Sequence, residues 1–356
     1  MYRYEDVREV HLELTTRCNA SCPQCPRNLS GGPVNPALPL VELSAADLER
    51  ILPDEFVRRL RKLYACGNYG DPMVAADTLP VFQRLRAQNP AMELGLFTNG
   101  SGRTEAFWAE LARVVSYVRF SIDGLADTNH LYRRGTQWEK VMASARAFLA
   151  AGGAAEWDFI VFRHNEHQIE EARELARTMG FRRFFLKKTS RFFDARAGGA
   201  QKRQVLDREG RPDYAIEEPL DPRFRNEAVV QLGRAGRYAD YQATAEITCK
   251  AANHKRIYVS AEGLVFPCCW TGALYPPNRP AGSAQMWDLV RALPDGKASL
   301  DARIKPLREI VEGPFFQELV PDGWRPRSVA EGRLEQCVRA CGTHDTHSAQ
   351  YGASLL

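Results

Sequence analysis

The chain has 356 residues, 44% of them apolar and 26% charged, with a formal net charge of +4. That composition suffices for a packed core, and the small basic excess falls well short of a dedicated nucleic-acid binder. No run of residues is long and apolar enough to span a bilayer, and the opening Met1-Tyr-Arg-Tyr-Glu-Asp lacks the order of a secretory signal, so a cytoplasmic protein with no membrane partner is expected.

Up to about residue 190, short apolar runs alternate with stretches of helical spacing. The runs beginning at His11, Lys62, Glu93, Tyr117, Trp157 and Arg183 predict strands. The stretches Ala45 to Leu60, Leu79 to Gln88, Glu105 to Val115, Trp138 to Ala151 and His167 to Met179 predict helices between them. Six strand–helix units predict an α/β fold with a parallel sheet or a partial (β/α)6 TIM-like barrel. Three candidate strands run into Gly67-Asn-Tyr-Gly-Asp-Pro, Thr98-Asn-Gly-Ser-Gly and Ser121-Ile-Asp-Gly. Parallel α/β folds place ligands at such strand ends, although each of these, taken singly, reads as an ordinary turn.

Residues 191–245 are rich in Arg, Asp, Gly and Pro and read as a linker or excursion. Arg256 to Pro267 reads as a β-hairpin turning at Ala261-Glu-Gly, Ser328 to Ala340 as a last helix, and 346–356 as a tail.

Nine cysteines are many for a reducing compartment, where metal ligation is commoner than disulfides. Three lie between Cys18 and Cys25, Cys66 stands alone, and five fall between Cys249 and Cys341, which suggests two metal centres. The first group sits in Leu14-Thr-Thr-Arg-Cys-Asn-Ala-Ser-Cys-Pro-Gln-Cys-Pro-Arg, directly after the first candidate strand. A cubane iron–sulfur cluster takes four thiolates, so three nearby cysteines leave one iron open to another ligand. A structural zinc site is the weaker alternative, because zinc sites commonly pair two short knuckles.

The spacing of Cys18, Cys22 and Cys25 after the first strand resembles the radical S-adenosylmethionine superfamily. The resemblance implies that these residues hold a catalytic [4Fe-4S] cluster, with the methionine end of S-adenosylmethionine chelating the open iron. Reductive cleavage would then release a 5′-deoxyadenosyl radical that takes hydrogen from a substrate, with flavodoxin or ferredoxin as external electron donor. Gly70 and Asp71, in Tyr69-Gly-Asp-Pro, match the family's Gly-Gly-Glu-type motif that holds the methionine amino group, with Asp in place of the commoner Glu. Ser121 and Asp123 match the ribose-contacting end of the fourth strand, Val161 to Asn165 the adenine-contacting end of the fifth, and Asn99 is counted with the cofactor-binding residues. Gln24 stands where family members often carry an aromatic residue.

In the second group, Cys337 and Cys341 lie four apart and project from one helical face. The arrangement resembles a twitch module, the shortened form of SPASM. It implies an auxiliary [4Fe-4S] cluster on Cys249, Cys268, Cys337 and Cys341, with Cys269 spare. The expected domains are therefore the partial barrel over 1–190, the linker over 191–245, a twitch-like hairpin plus helix over 246–345, and the tail.

A fully ligated second cluster would relay electrons, which favours a net oxidation or bond formation on a peptide or small molecule, with peptide maturation preferred. No leader-binding segment precedes the barrel pattern, so a separate leader-binding protein could supply peptide recognition. A redox-neutral epimerase using Cys66 as hydrogen donor is the alternative chemistry; a non-enzymatic zinc- or nucleic-acid-binding protein is the alternative class. Lys187, Lys188 and Arg191, amid phenylalanines at the sixth strand, read as substrate contacts. Cys66 reads more readily as a buried small residue, and His164 and His167 as surface or supporting groups.

Overall fold

The computed structural model describes residues 1–192, 202–234, 238–276, 280–343 and 351–354. Its strands are β1 (Glu9–Leu12), β2 (Lys62–Ala65), β3 (Glu93–Thr98), β4 (Tyr117–Ser121), β5 (Ala155–Ile160), β6 (Arg183–Lys187), β7 (Lys202–Leu206), β8 (Pro212–Glu217), β9 (Arg256–Val259), β10 (Val265–Phe266) and β11 (Tyr351–Ser354). The fold class is the expected α/β, with six strands alternating with helices as far as β6. The chain divides into two compact units, and one of the boundaries between them falls inside β3.

The first unit comprises Met1–Arg17, Ala37–Gly95 and Ala239–His344. Here β1 pairs in parallel with β2 on one side and β9 on the other, and β10 returns antiparallel along β9. The hairpin foreseen at Arg256 to Pro267 thus extends the sheet that β1 begins. The single helix expected over Ala45 to Leu60 is two, Ala45–Ile51 and Asp54–Val57. Pro53 between them lacks an N–H and disfavours helical geometry at Leu52, whereas Ser44 opens the first helix with a capping box to Asp47.

The second unit comprises Cys18–Pro36, Leu96–Tyr238 and Asp345–Leu356. β4, β5 and β6 pair in parallel, and β11 joins β6 antiparallel. The period-two alternation of strands separates two chemistries. Phe120, Trp157, Phe159 and Phe184 are fully buried and meet Trp108, Phe148 and Phe181 in edge and tilted ring contacts. The opposite face carries Arg119, Glu156, Asp158 and Lys187, with Arg119 on Glu156 at 2.7 Å and Lys187 on Asp158 at 2.5 Å. Both carboxylates are almost wholly buried, so these pairs are what make their charge tolerable.

Within the stretch read as linker or excursion, β7 and β8 form an antiparallel hairpin. Val205 and Ile216 are its buried residues among mostly polar neighbours, which is why its alternation is faint in the sequence. The 346–356 segment read as a tail contains β11.

Trp157→Ala would empty the largest apolar volume of β5. A loss of about 3–5 kcal/mol is expected, read as a lower thermal unfolding midpoint against the wild type.

Candidate functional site

Each unit carries one group of cysteines. In the second unit, the segment from Cys18 to Cys25 turns tightly, with Cys25 N–H donating to the Cys22 carbonyl at 3.0 Å and Asn28 N–H to the Cys25 carbonyl at 3.1 Å. Cys22 is buried with Ala20, Tyr132, Phe162, Phe192, Val205 and Ile216, and Cys18 and Cys25 pack against this cluster half-buried. Hairpin β7–β8 closes on this loop. Leu206 N–H donates to the Ser30 carbonyl at 3.0 Å, and a Cβ on Gly32 would stand 2.6 Å from the Asp207 carbonyl oxygen.

Polar donors converge on the sulfurs. Cys18 Sγ accepts from the Ala20 amide at 3.3 Å and from Asn99 Nδ2 at 3.7 Å, and Cys22 Sγ accepts from Arg133 Nη1 at 3.7 Å. Burial pushes the Cys22 thiol up to about 11, with Arg133 opposing it. Such donors suit sulfur carrying negative charge, as in a metal thiolate.

Arg133 also donates through Nε to Asp123 Oδ2 at 2.6 Å, and the Ile160 amide donates to Asp123 Oδ1 at 2.5 Å. Asp123 is fully buried, so its carboxylate fastens the end of β4 to the end of β5 and to the cysteine loop. Asn165 fastens the same corner: it accepts from the Phe162 amide at 2.7 Å and donates to the Asp123 and Ile160 carbonyls at 3.0 and 2.9 Å. Val161 is buried with its amide on the Lys187 carbonyl, and Ser121 ends β4 half-buried beside Asp158. Asn99, Asp123 and Asn165 therefore belong to one polar framework around the three cysteines. Lys187 is engaged by Asp158, and Arg191 donates to the Gln24 carbonyl at 2.8 Å.

Gly70 and Asp71 belong to the first unit. The Asp71 amide donates to the carbonyl of Arg17, the residue before Cys18. A Cβ on Gly70 would stand 1.8 Å from the Thr15 carbonyl oxygen, so only glycine permits that approach. The Asp71 carboxylate accepts from the Met73 amide at 2.9 Å and opens a short turn.

The second group lies in the first unit. Cys249 precedes the helix Lys250–His254, and Cys337 and Cys341 lie on the helix Glu335–Cys341. The Thr248 amide donates to the Cys341 carbonyl at 2.9 Å, joining these segments. A thiol–thiol hydrogen bond with Cys341 lowers Cys249 while burial opposes it, and Cys268 and Cys337 lie near enough to raise it. Burial raises both Cys268 and Cys337. The four expected ligands thus share one neighbourhood. The electrostatic neighbours of Cys269 are Cys268, then Cys66, Arg256 and Glu13. Cys66 itself is half-buried, and its carbonyl bonds to the His11 ring.

None of the nine cysteines is joined in a disulfide. Among the described residues, no three His, Cys, Asp or Glu side chains close on one point as a mononuclear metal site requires. A cluster instead spreads its ligands over separate irons. Two orphaned donors fit such a group. Gln24 Nε2 is buried without an acceptor between Cys22 and Cys25, its Oε1 held by the Thr189 hydroxyl. Trp324 Nε1 is likewise buried without an acceptor, near enough to Cys337 to offset part of the burial effect on that thiol.

Sequence reasoning did not single out Arg133, Trp324 or Glu13. Arg133 sits in a turn, Tyr132-Arg-Arg, with no pattern to mark it. Glu13 did carry a signal, as a carboxylate inside the apolar run of the first strand.

Residues 12–176, just under half of the chain, match the family model of the Radical SAM superfamily. The match supports that superfamily for the segment that carries the first cysteine group. Solved structures of similar fold include Streptococcus suis SuiB bound to precursor peptide SuiA, with TM-score 0.56 and 13% identity over 93% of this chain and 76% of that one. Another is anSMEcpe with bound AdoMet, with TM-score 0.53 and 12% identity over 93% of this chain and 86% of that one. At such identities the likeness is one of fold. Among the described residues no helix is long and apolar enough to cross a membrane.

Gly70→Ala should displace the loop against Thr15, since the contact is backbone on both sides. A cost of about 1–3 kcal/mol is expected, measured by chemical denaturation. Gly102→Ala is the control for added bulk, because a Cβ there would meet only Asn19 Nδ2, at 4.0 Å.

Proposed function

We propose that this protein is a radical S-adenosylmethionine enzyme. In this reading Cys18, Cys22 and Cys25 hold a [4Fe-4S] cluster, and Cys249, Cys268, Cys337 and Cys341 hold an auxiliary one in a twitch-like module. The observation that carries the reading is the set of three cysteines packed in one loop, with N–H donors from Ala20, Asn99 and Arg133 trained on two of the sulfurs. The family match over residues 12–176 supports it. When bound, the cluster supplies the electron that splits S-adenosylmethionine into methionine and a 5′-deoxyadenosyl radical.

The chain's own residues bind, orient and exclude water. Gly70 and Asp71 receive the methionine amino group. Asn99, Ser121 and Asp123 line the ribose end, the last by keeping β4 and β5 in register rather than by offering a free carboxylate. Val161 to Asn165 border the adenine, and the Gln24 amide adds an N–H donor beside the cysteines. The apolar packing of Tyr132, Phe162, Val205 and Ile216 around Cys22 keeps water from the site.

Cys249, Cys268, Cys337 and Cys341 would ligate a cluster fully, which suits an electron relay and hence a net oxidation or bond formation. The solved relatives SuiB and anSMEcpe bind a precursor peptide and the Cp18Cys peptide respectively, which supports a peptide substrate ahead of a small molecule. Flavodoxin or ferredoxin would supply electrons, and a separate leader-binding protein peptide recognition.

Anaerobic reconstitution tests this reading. About eight irons per chain are expected for two cubane clusters, with 5′-deoxyadenosine formed after reduction with S-adenosylmethionine. Replacing Cys18, Cys22 and Cys25 together by Ala should halve the iron and abolish 5′-deoxyadenosine. Cys337→Ala should lose the second cluster and substrate turnover while keeping cofactor cleavage. Colourless protein that binds zinc would contradict the proposal.

A further inference from the structure

Glu13, just past β1 in the first unit, has an almost wholly buried side chain. Its Oε1 accepts from the Tyr69 amide at 2.7 Å and the Gly70 amide at 3.1 Å. Its Oε2 accepts from the hydroxyl of Tyr258, on β9. Asn68 closes the circuit: its Nδ2 donates to the Tyr258 hydroxyl at 3.3 Å and to the Cys269 carbonyl at 2.8 Å. The Tyr258 ring is fixed by its neighbours. It meets His11 edge-on at 4.9 Å, and a Cβ on Gly272 would stand 2.5 Å from it. One carboxylate thus gathers the loop at Gly70 and the hairpin that ends at Cys268 and Cys269.

We propose that Glu13 is a positioning residue that holds the Asn68-to-Asp71 loop in its cofactor-receiving form, and that Tyr258 and Asn68 tie the setting of that loop to the hairpin that leads into Cys268 and Cys269. The inference rests on the S-adenosylmethionine reading above and adds residues which that reading does not use. Its physical basis is charge-assisted hydrogen bonding. An ionised carboxylate binds backbone amides about twice as strongly as a neutral one. The loop is therefore tight when Glu13 is ionised and looser when it is protonated.

Burial pushes Glu13 up to about 7, against the lowering effect of Tyr258 and of the amides of Tyr69, Gly70 and Asn68. The titratable groups facing it are the Tyr258 and Tyr69 phenols and the Cys269 thiol, with Glu262 lining the small cavity alongside. Burial raises Tyr258 and Cys269, so both stay neutral near pH 7, and Glu262 is bonded to Lys297 and Tyr275. His11, beside Tyr258, is held neutral by burial, at about 4. Of the groups whose pKa is displaced here, Glu13 is the one brought between pH 5.5 and 8.5. Removing the Tyr258 hydroxyl takes away a contribution that lowers its pKa, so the midpoint must move up.

Hydrogen exchange of the Tyr69 and Gly70 amides, corrected for intrinsic rates, tests this in the full-length reconstituted protein between pH 5.5 and 8.5. Protection should fall about tenfold as pH drops through the midpoint. Tyr258→Phe should shift that midpoint to higher pH, and Glu13→Gln should leave protection low and independent of pH. S-adenosylmethionine affinity, measured by equilibrium dialysis, should weaken over the same range in the wild type. An unmoved midpoint in Tyr258→Phe overturns the proposal, as does a transition surviving in Glu13→Gln; should the latter variant not fold, the former decides. Cofactor affinity indifferent to a pH that changes amide protection overturns the positioning role. Amides that titrate as expected in a protein that binds no S-adenosylmethionine at any pH overturn the functional reading instead, and leave Glu13 as the holder of the loop.

Discussion

The arrangement of the second unit depends on one partly buried guanidinium. Arg133 lies between the Asp123 carboxylate and the Cys22 sulfur, so a single side chain neutralises the carboxylate and offers a donor to the thiol. Without it, Asp123 would be an uncompensated charge in a dry site, a defect that commonly costs about 3–5 kcal/mol. Through Asp123 and Asn165 the same contact also sets the ends of β4 and β5. The cysteine loop and the strand ends are therefore one cooperative object, and a change in either is felt by the other.

The first unit repeats the device with a different polarity. Glu13 collects backbone amides from the loop at Gly70 and a hydroxyl from β9. β1 is held in place by parallel ladders to β2 and β9. Both units therefore place a buried carboxylate just past the end of a strand, where the chain turns into a loop. Buried polar groups so fully bonded give specificity of geometry, which catalysis needs more than extra stability.

Much of this was legible in the residues. The alternation of strands and helices up to Met179, the hairpin at Arg256 to Pro267 and the grouping of cysteines follow from local pattern, and local pattern survives in the fold. What escaped depends on partners distant in the chain. Glu13 is buried because Tyr69 and Tyr258 come to it across 56 and 245 residues. Arg133 meets Cys22 across 111 residues. Hairpin β7–β8 buries only Val205 and Ile216 among charged neighbours, so no periodicity announces it. The break at Pro53 was written plainly in the chain, and the apolar spacing on either side concealed it.

The central claim is that Cys18, Cys22 and Cys25 leave one iron free to take S-adenosylmethionine. Electron paramagnetic resonance of the reduced protein, with the cofactor's amino nitrogen or carboxylate oxygen isotopically labelled, tests it most directly. The account predicts an altered cluster signal with resolved hyperfine coupling to the label, also in Cys337→Ala. A reduced cluster whose spectrum is indifferent to the cofactor, with no coupling to either label, would contradict it.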